Sequence, residues 1–254
     1  MLALISPAKT MTYVDYSEKI NGTTPRFISE TRHIVSLMQG YSSGELAEIF
    51  KISDALAQEL SAYFTQFKDI NTNTLPAIYA YDGVVYKHFK SKKDFKKNQL
   101  DYLQKTVRIS SVLWGLLKPL DLIKPYRMEG FVRLAGSDER VDKYWRDKQT
   151  DILINDVKDA GGDLLYLASK EEQNAFNWRE VKKQIHVIDI QFLQQKGDKL
   201  RQVVVYTKMA RGEMIRYMLE NNLKTIEQLK SFEWNGYTFR QELSDDDTLV
   251  WVMR

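Results

Sequence analysis

The stretch Leu2-Ala3-Leu4-Ile5-Ser6-Pro7-Ala8-Lys9 opens the chain and decides the class of fold. Its first four residues form a short apolar run, which Ser6 and Pro7 bring to an end. This pattern predicts a buried central strand over residues 2–5, followed by a loop. Lys9 is thereby placed just beyond the end of that strand.

Helical and strand patterns alternate along the rest of the chain. Helical spacing, capping residues and glycine stops predict helices over residues 24–40, from 43, from 53, and over 91–104, 151–160, 170–176, 208–221 and 226–230. Short apolar runs bounded by turn residues predict strands over residues 77–81, 107–114, 164–168, 185–194, 200–207, 234–239 and 249–253. Lys196-Gly197-Asp198 predicts a hairpin between two of these strands.

Length and composition are those of an ordinary globular protein. The chain has 254 residues, of which 43% are hydrophobic and 28% charged, so it is long enough to bury a large core. It contains no internal repeat and no linker rich in proline, glycine or serine. We therefore predict a single compact domain over residues 1–254, of mixed α+β class, in which helices surround a mixed sheet.

Several classes of protein are excluded by what the sequence lacks. Without cysteine there is no disulfide, thiolate nucleophile or Cys-type metal site, and the three histidines have no metal-ligand spacing. We predict no metal and no cofactor. The apolar runs are too short to cross a bilayer, and the N-terminus lacks the features of a signal peptide, so a cytoplasmic protein is expected.

The charge distribution indicates a surface that attracts anions. The net charge is only +3, but acidic residues gather at Asp245-Asp246-Asp247 while basic residues gather in residues 87–97 and 118–133. The remaining surface is therefore more positive than the total suggests.

The predicted helix that starts at Lys208 has an unusual distribution of cations. Lys208 and Arg211 share an arc with apolar residues, and Arg216 lies to one side of them. Two cations in a first helical turn are unfavourable unless an anion completes the site. That anion could be a ligand, or a buried carboxylate such as Asp121 or Glu129. Gly212 leaves room for a ligand or another backbone to approach.

Residues 118–130 form a second candidate segment, rich in prolines and charged residues. The stretch that precedes it, residues 113–119, resembles a helix-hairpin-helix turn, in which the backbone amides at Gly115 bind a phosphate and the following Lys118 strengthens the contact. The alternative is a packed corner. A third candidate, Asp82, could orient a cation, act as a base or cap a turn.

Taken in order, several segments resemble one family, the YaaA peroxide stress protein family. The segments that carry the resemblance are Leu4 to Met11, Pro76 to Tyr86, Gly115 to Asp121, Pro125 to Glu129, Leu167 to Ser169, Lys208 to Gly212, and Gly236-Tyr237. The resemblance implies a compact mixed α/β fold with a positively charged cleft and a helix-hairpin-helix-like element. It also implies DNA binding, and protection against hydrogen peroxide by limiting free iron.

These observations lead to one main hypothesis and one alternative. The main hypothesis is a DNA-binding stress protein, with a monomer favoured, whose cleft contacts phosphates with little sequence preference through Lys9, Gly115, Lys118, Arg127, Lys208, Arg211 and Arg216. The alternative is an enzyme acting on a phosphorylated or nucleic-acid-derived substrate. Its acids or bases would come from Asp82, Asp121, Glu129 and Glu171.

Overall fold

The computed structural model describes residues 1–12, 21–65, 67, 69, 74–90 and 95–254. The opening apolar run forms strand β1 (Leu2–Ile5), whose four residues are all buried. This confirms the predicted central strand. The sequence Asn71-Thr72-Asn73 also indicates a turn, which lies outside the described residues together with the start of the helix predicted from residue 91.

In the described part of the chain the main sheet has eight strands, in the order β4-β3-β1-β6-β7-β10-β9, with β8 paired to β7. Their bounds are β3 (Val107–Ser111), β4 (Gly115–Leu117), β6 (Asp163–Tyr166), β7 (His186–Lys196), β8 (Lys199–Arg201), β9 (Tyr237–Phe239) and β10 (Thr248–Met253). Strands β3, β1, β6, β7 and β10 are parallel to one another, whereas β4, β8 and β9 pair in antiparallel orientation with β3, β7 and β10 respectively. Two short strands, β2 (Leu75–Pro76) and β5 (Leu122–Ile123), form a separate antiparallel pair.

Helices connect the parallel strands. Between β1 and β3 lie α1 (Ile28–Met38), α2 (Ser43–Phe50), α3 (Asp54–Thr65), α4 (Ala77–Ala80), α5 (Val84–Lys90) and α6 (Lys97–Thr106). The later connections contain α7 (Val141–Asp159), α8 (Trp178–Gln184), α9 (Val204–Glu220) and α10 (Ile226–Leu229), with 3-10 helices at Lys170–Ala175 and Gln241–Leu243. The predicted class, a mixed sheet surrounded by helices, is confirmed.

Two predicted strands are wrong. Residues 77–80 form helix α4 rather than a strand. The amides of Ala77 and Ile78 donate to the carbonyls of Asp121 and Pro119, and the amide of Tyr81 donates to the carbonyl of Ala77, which closes a helical turn. The second error concerns residues 200–207, where β8 ends at Arg201 and α9 begins at Val204. The hairpin over residues 196–198 is confirmed.

Helix α9 begins four residues before its predicted start at Lys208, which changes the positions of its cations along the helix. Lys208 lies in the second turn of the helix and Arg211 follows one turn later, so neither occupies the first turn. Lys208 is also exposed rather than directed at the core. The helix dipole therefore does not account for an anion at these residues, and any anion site at Arg211 must rest on its own surroundings.

The segment around Gly115 is a β-hairpin rather than the predicted helix-hairpin-helix turn. Strand β3 turns at residues 112–114 and returns as β4, with Ser111 opposite Gly115. A Cβ atom at Gly115 would lie 2.8 Å from the ring of Trp145 and 2.9 Å from that of Phe27. Gly115 also has a φ of +67°, which favours glycine. The alternative of a packed corner describes this segment.

Candidate functional site

The connections of the sheet single out one edge. From β1 the chain crosses to β3 on one side, and it later returns to β6 on the other side of β1. In open α/β sheets, ligands bind outside the carboxyl ends of the strands at such a switch point. The residues that end β1, β3 and β6 are therefore the first place to look for a site.

A serine lies at the carboxyl end of each of these three strands. Ser6 follows β1, Ser110 lies near the end of β3, and Ser169 follows β6. The hydroxyls of all three form hydrogen bonds with the carboxyl group of Glu172, and the bond from Ser169 Oγ to Glu172 Oε1 measures 3.4 Å. The amide of Ser169 also donates to Ser6 Oγ over 2.8 Å. Three parallel strands thus converge on one carboxyl group.

Tyrosine hydroxyls surround this group. Tyr86 donates to the carbonyl of Ser6 over 2.9 Å, and Tyr166 donates to the carbonyl of Ser169. Tyr126 lies 2.7 Å from Ser111 Oγ and 3.0 Å from the hydroxyl of Tyr81. The site is therefore a layer of hydroxyls beneath the surface, in which Glu172 supplies the carboxyl group.

Burial raises the pKa of Glu172 to about 7, although the hydrogen bonds from Ser110 and Ser6 act in the opposite direction and the charge of Glu171 adds to the rise. A carboxyl group with this pKa is a mixture of neutral and ionised forms at neutral pH. It can donate a hydrogen bond or a proton when neutral and accept one when ionised.

Arg211, from α9, approaches the same layer. Burial lowers the pKa of its guanidinium, while the charge of Asp189 acts to raise it. Its Nε is fully buried and has no hydrogen-bond partner among the described residues. The close approach of α9 depends on Gly212, where a Cβ atom would lie 2.3 Å from the carbonyl oxygen of Val85 in α5.

Lys9 and Glu129, both predicted site residues, come together as an ion pair of 2.7 Å. Lys9 nevertheless remains 71% exposed. Arg127 lies near Glu129 in the chain, and its Nε is buried without a partner among the described residues. The segment that contains Arg127 and Glu129 also contacts the residues after β1, since the amide of Tyr126 donates to Met11 Sδ over 3.3 Å.

Asp82 joins two lysines of α5. Its carboxylate lies 3.5 Å from Lys87 Nζ and 3.7 Å from Lys90 Nζ, and its amide donates to the carbonyl of Thr10 over 2.9 Å. Burial lowers the pKa of Lys90, while Asp82 acts to raise it. Asp82 therefore fixes the start of α5 beside the segment that follows β1.

Other predicted residues are not brought to this edge. Lys118 follows β4, which runs antiparallel to β3, so the chain there leads away from the carboxyl ends of the parallel strands. Buried Asp121 accepts hydrogen bonds there from the Lys118 amide, 2.7 Å, and from Thr23 Oγ1, 2.6 Å. Burial raises the pKa of Asp121, although these hydrogen bonds oppose the rise. Asp121 is thus a turn-stabilising residue.

Arg216 is engaged by carboxylates of its own helix. Its guanidinium lies 2.9 Å from Glu220 and 3.8 Å from Glu213. Glu213 in turn lies 2.9 Å from His88 Nδ1. These contacts give Arg216 a structural explanation that Arg211 lacks.

Glu172 is the residue that sequence reasoning missed. The neighbouring Glu171 was predicted, but Glu171 is exposed, whereas Glu172 is directed at the three serines. Part of a signal was present in the sequence, because Ile5-Ser6 and Ala168-Ser169 each end an apolar run with a serine. Ser110 gave no such signal, since it lies inside the run over residues 107–114.

Among the described residues, no group of three or more His, Asp or Glu side chains is arranged to hold a metal ion. Nor does any helix among them combine the length and apolar character needed to cross a membrane.

The fold and this edge define an α/β protein with a cluster of hydroxyl groups and one buried carboxyl group at the switch point of its sheet. Comparison with known sequences gives the family. The profile described as "Peroxide stress protein YaaA" matches residues 1–243. A UPF0246 protein of Bacteroides fragilis is 41% identical over 253 residues, which cover 99% of this chain and 98% of that protein. UPF0246 proteins of Porphyromonas gingivalis and Hahella chejuensis are 36% and 34% identical, over 100% and 96% of both chains. The chain belongs to the YaaA peroxide stress protein family, which confirms the resemblance.

Proposed function

We propose that this protein binds DNA through its backbone phosphates during peroxide stress, as a cytoplasmic monomer, and thereby helps to limit free iron and oxidative DNA damage. The stress context is supported by the description of the family. The names of the relatives state no molecular activity. Support for phosphate binding has to come from the site.

The observation that carries the proposal is the pair of buried guanidinium nitrogens without acceptors. Arg127 and Arg211 each leave Nε buried and unpaired among the described residues. A buried donor without a partner costs free energy, and more so when the group is charged. A bound phosphate removes this cost because its oxygens accept several hydrogen bonds from arginine.

One exposed lysine adds positive charge beside Arg211. Lys208 lies one turn away from it in α9, whereas the charge of Lys9 is balanced by Glu129 at 2.7 Å, so Lys9 is not part of this proposal. Binding through such groups is electrostatic and largely independent of sequence. The predicted contributions of Gly115, Lys118 and Arg216 are not part of this proposal, since these residues lie elsewhere or are engaged by other groups.

The test is a titration of a labelled DNA duplex at several salt concentrations. The logarithm of the association constant should fall linearly with the logarithm of salt, with a slope of about −0.9 for each phosphate contacted. Arg127→Met and Lys208→Ala should each weaken binding and reduce the slope by about one. Arg216→Met is the matched control, because Glu213 and Glu220 already occupy its guanidinium. Binding that is absent, insensitive to salt, or as sensitive to Arg216→Met as to Arg127→Met contradicts the proposal.

An enzyme acting on a phosphorylated or nucleic-acid-derived substrate is the second candidate function. Asp82, Asp121 and Glu129 do not support it, since each is held by an ion pair or by turn hydrogen bonds. The observation in its favour is Glu172, a carboxyl group with a pKa of about 7 at the switch point of the sheet. Loss of a measured turnover in Glu172→Gln, with DNA binding retained, would distinguish this function from the first.

A further inference from the structure

A histidine links three strands at the edge of the sheet opposite the switch point. Asp163 is the first residue of β6 and His186 is the first residue of β7, while residues 245–247 form an acidic loop of three aspartates just before β10. Because β6, β7 and β10 are parallel, these residues all lie at the amino ends of the strands. Asp163 and His186 are also partners in the register of the sheet.

Both ring nitrogens of His186 have an acceptor within hydrogen-bond distance. Nδ1 lies 2.9 Å from Asp163 Oδ1, and Nε2 lies 2.9 Å from the carbonyl oxygen of Asp246. An ionised carboxylate and a carbonyl have no proton to donate, so each bond requires a proton on the ring nitrogen. A neutral imidazole carries one such proton, whereas the imidazolium carries two. The two distances therefore describe the positively charged form of His186.

His186 supplies the positive charge at this acidic edge. Its Nε2 also lies 3.6 Å from Asp247 Oδ1, and in the described part of the chain no other cation forms an ion pair with Asp163 or with the acidic loop. The three aspartates of the loop repel one another, because like charges in neighbouring positions disfavour ionisation of all of them. The loop is therefore restrained by a single cation of a type that titrates near neutral pH.

The other charged groups near His186 come from three elements. Before β1, the N-terminal ammonium of Met1 is within electrostatic reach of Asp163. On β7 itself, the carboxylate of Asp189 accepts a hydrogen bond of 2.9 Å from a neighbouring glutamine. At the end of α8, the lysines at 182–183 are exposed. None of these groups forms an ion pair with His186, which pairs only with Asp163 and the acidic loop among the described residues.

The acidic loop in turn holds the start of β10. The carbonyl of Asp247 accepts a hydrogen bond of 2.8 Å from the amide of Asp189 in β7, and the amide of Asp245 donates to the carbonyl of Thr248 over 2.9 Å. Within the loop, the amide of Asp247 donates to Asp245 Oδ1 over 3.0 Å. Thr248 and Asp189 are the first register pair between β10 and β7. A bond to the loop therefore acts on the place where this pairing begins.

We propose that His186 is a proton-dependent clamp, which holds the acidic loop against β6 and β7 while both ring nitrogens are protonated and releases the loop when one of the two protons is lost. The remaining proton stays on Nδ1, because the ionised carboxylate of Asp163 is a stronger acceptor than a carbonyl. The bond from Nε2 to the carbonyl of Asp246 is therefore the one that breaks. Loss of the positive charge also removes the attraction to Asp247. This inference goes beyond the proposed function and does not depend on DNA binding.

The contacts of His186 also set the direction of its response to pH. The hydrogen bond to Asp163 raises the pKa of His186 above 6.5, and the bond to Asp246 and the charges of Asp163 and Asp247 add to this rise against the effect of partial burial. The stability that a raised pKa contributes is fully present below the pKa of the unfolded chain, and it is lost as pH rises through the pKa of the folded protein. The loop is therefore held at acidic pH and released at alkaline pH.

Nitrogen-15 NMR of the full-length protein tests the clamp, because the sequence contains only three histidines and the signals of His186 are those missing from His186→Gln. Both ring nitrogens of His186 should be protonated at pH 6, and Nε2 should lose its proton at higher pH. Amide hydrogen exchange, corrected for the intrinsic effect of pH, reports on the loop. The protection of the Asp189 amide should fall about fivefold between pH 6 and pH 9, as expected for the loss of one hydrogen bond.

Matched variants separate the clamp from a general effect of pH. In His186→Gln the protection of the Asp189 amide should be low at both pH values, because glutamine has one donor group and no charge. Asp163→Asn should shift the release to lower pH, since it removes the carboxylate that favours the imidazolium. His33→Gln, which replaces an exposed histidine of α1, should behave as the parent. An unprotonated Nε2 at pH 6, or the same fall in protection in His186→Gln as in the parent, overturns the proposal.

Discussion

The amide of Ser169 donates a hydrogen bond of 2.8 Å to the hydroxyl of Ser6, which ties the segment after β6 to the end of β1. The two serines also both bond to Glu172. This relationship places the carboxyl group of Glu172 at the switch point of the sheet. It also makes the serines, rather than any charged residue, the groups that determine the position of that carboxyl.

Ser6→Ala should raise the pKa of Glu172 further. The Ser6 hydroxyl favours the ionised carboxylate and so lowers the pKa, against the effect of burial. Without this hydroxyl, burial raises the pKa further. The variant also leaves the Ser169 amide without its acceptor, which should cost about 1–3 kcal/mol of stability. Carbon-13 NMR of labelled glutamate measures the pKa. Ser36→Ala, which removes an exposed hydroxyl bonded to the His33 carbonyl, should not change it. An unchanged pKa in Ser6→Ala contradicts the prediction.

Glu172 should make the stability of the protein depend on pH. Its pKa is about 7 in the folded protein against 4.5 when unperturbed, so the unfolded chain gives up the proton first as pH rises. The free energy of unfolding should therefore fall as pH rises from about 4.5 to 7. Chemical denaturation at pH 5 and pH 8 measures the fall. It should be smaller in Glu172→Gln, and equal falls in parent and variant would show that Glu172 is not the titrating group.

Arg211 and Arg108 should respond in opposite ways to replacement by methionine. Arg108 is 5% exposed and pairs with Asp156 over 2.6 Å, so Arg108→Met should cost about 3 kcal/mol by leaving a largely buried carboxylate with fewer partners. Arg211 has no such partner among the residues that the structure describes, so Arg211→Met should keep or gain stability while it loses anion binding. Thermal melts of the two variants provide the comparison. A large loss of stability in Arg211→Met would mean that the guanidinium serves the fold.

Gly212→Ala should destabilise the packing of α9 on α5. The new Cβ atom would meet the Val85 carbonyl oxygen at 2.3 Å and His88 Cβ at 2.8 Å, and the first of these is rigid backbone. The cost should be about 1–3 kcal/mol. Gly44→Ala is the control, because nothing lies within 4 Å of a Cβ there, and alanine should stabilise that helix by about 0.4–1 kcal/mol. Urea denaturation measures both, and a neutral Gly212→Ala would show that the helices can separate freely.

Gly115→Ala should destabilise the fold by more than its backbone conformation alone explains. The positive φ should cost about 1–2 kcal/mol, and the contacts with Trp145 and Phe27 should add about 1–3 kcal/mol. Gly136→Ala isolates the first cost, since its φ is +71° with nothing within 4 Å. Denaturation curves of the two variants give the difference. Should Gly115→Ala stay as stable as Gly136→Ala and lose DNA binding, the phosphate-binding role predicted for Gly115 would be supported after all.

The sequence predicted those elements whose local pattern and tertiary environment agree. Leu2 to Ile5 is apolar throughout because both faces of a central strand are buried, and it forms β1 as expected. Residues 77–81 and 200–207 were predicted as strands on apolar content, but the tertiary contacts of these residues produce helix in both places. Tyr206, for example, is exposed on the first turns of α9. Short apolar runs do not distinguish strand from helix without knowledge of what covers them.

By itself, the sequence determined the class of fold, the family and a positively charged character, because these follow from periodicity, ordered motifs and composition. It also singled out Arg211, a cation on the apolar arc of its helix, and Gly212, a residue type that is costly inside a helix without a tertiary reason. Only the tertiary structure decided which charged groups have partners in ion pairs or hydrogen bonds. Lys118 and Arg127 belong to one charged segment, but the direction of β4 separates them. Glu172 differs from Glu171 only in the side of a 3-10 helix that it occupies. Partnership and burial are set by contacts between residues that are distant in the chain, so the site could be recognised only after the strands had brought its three serines together.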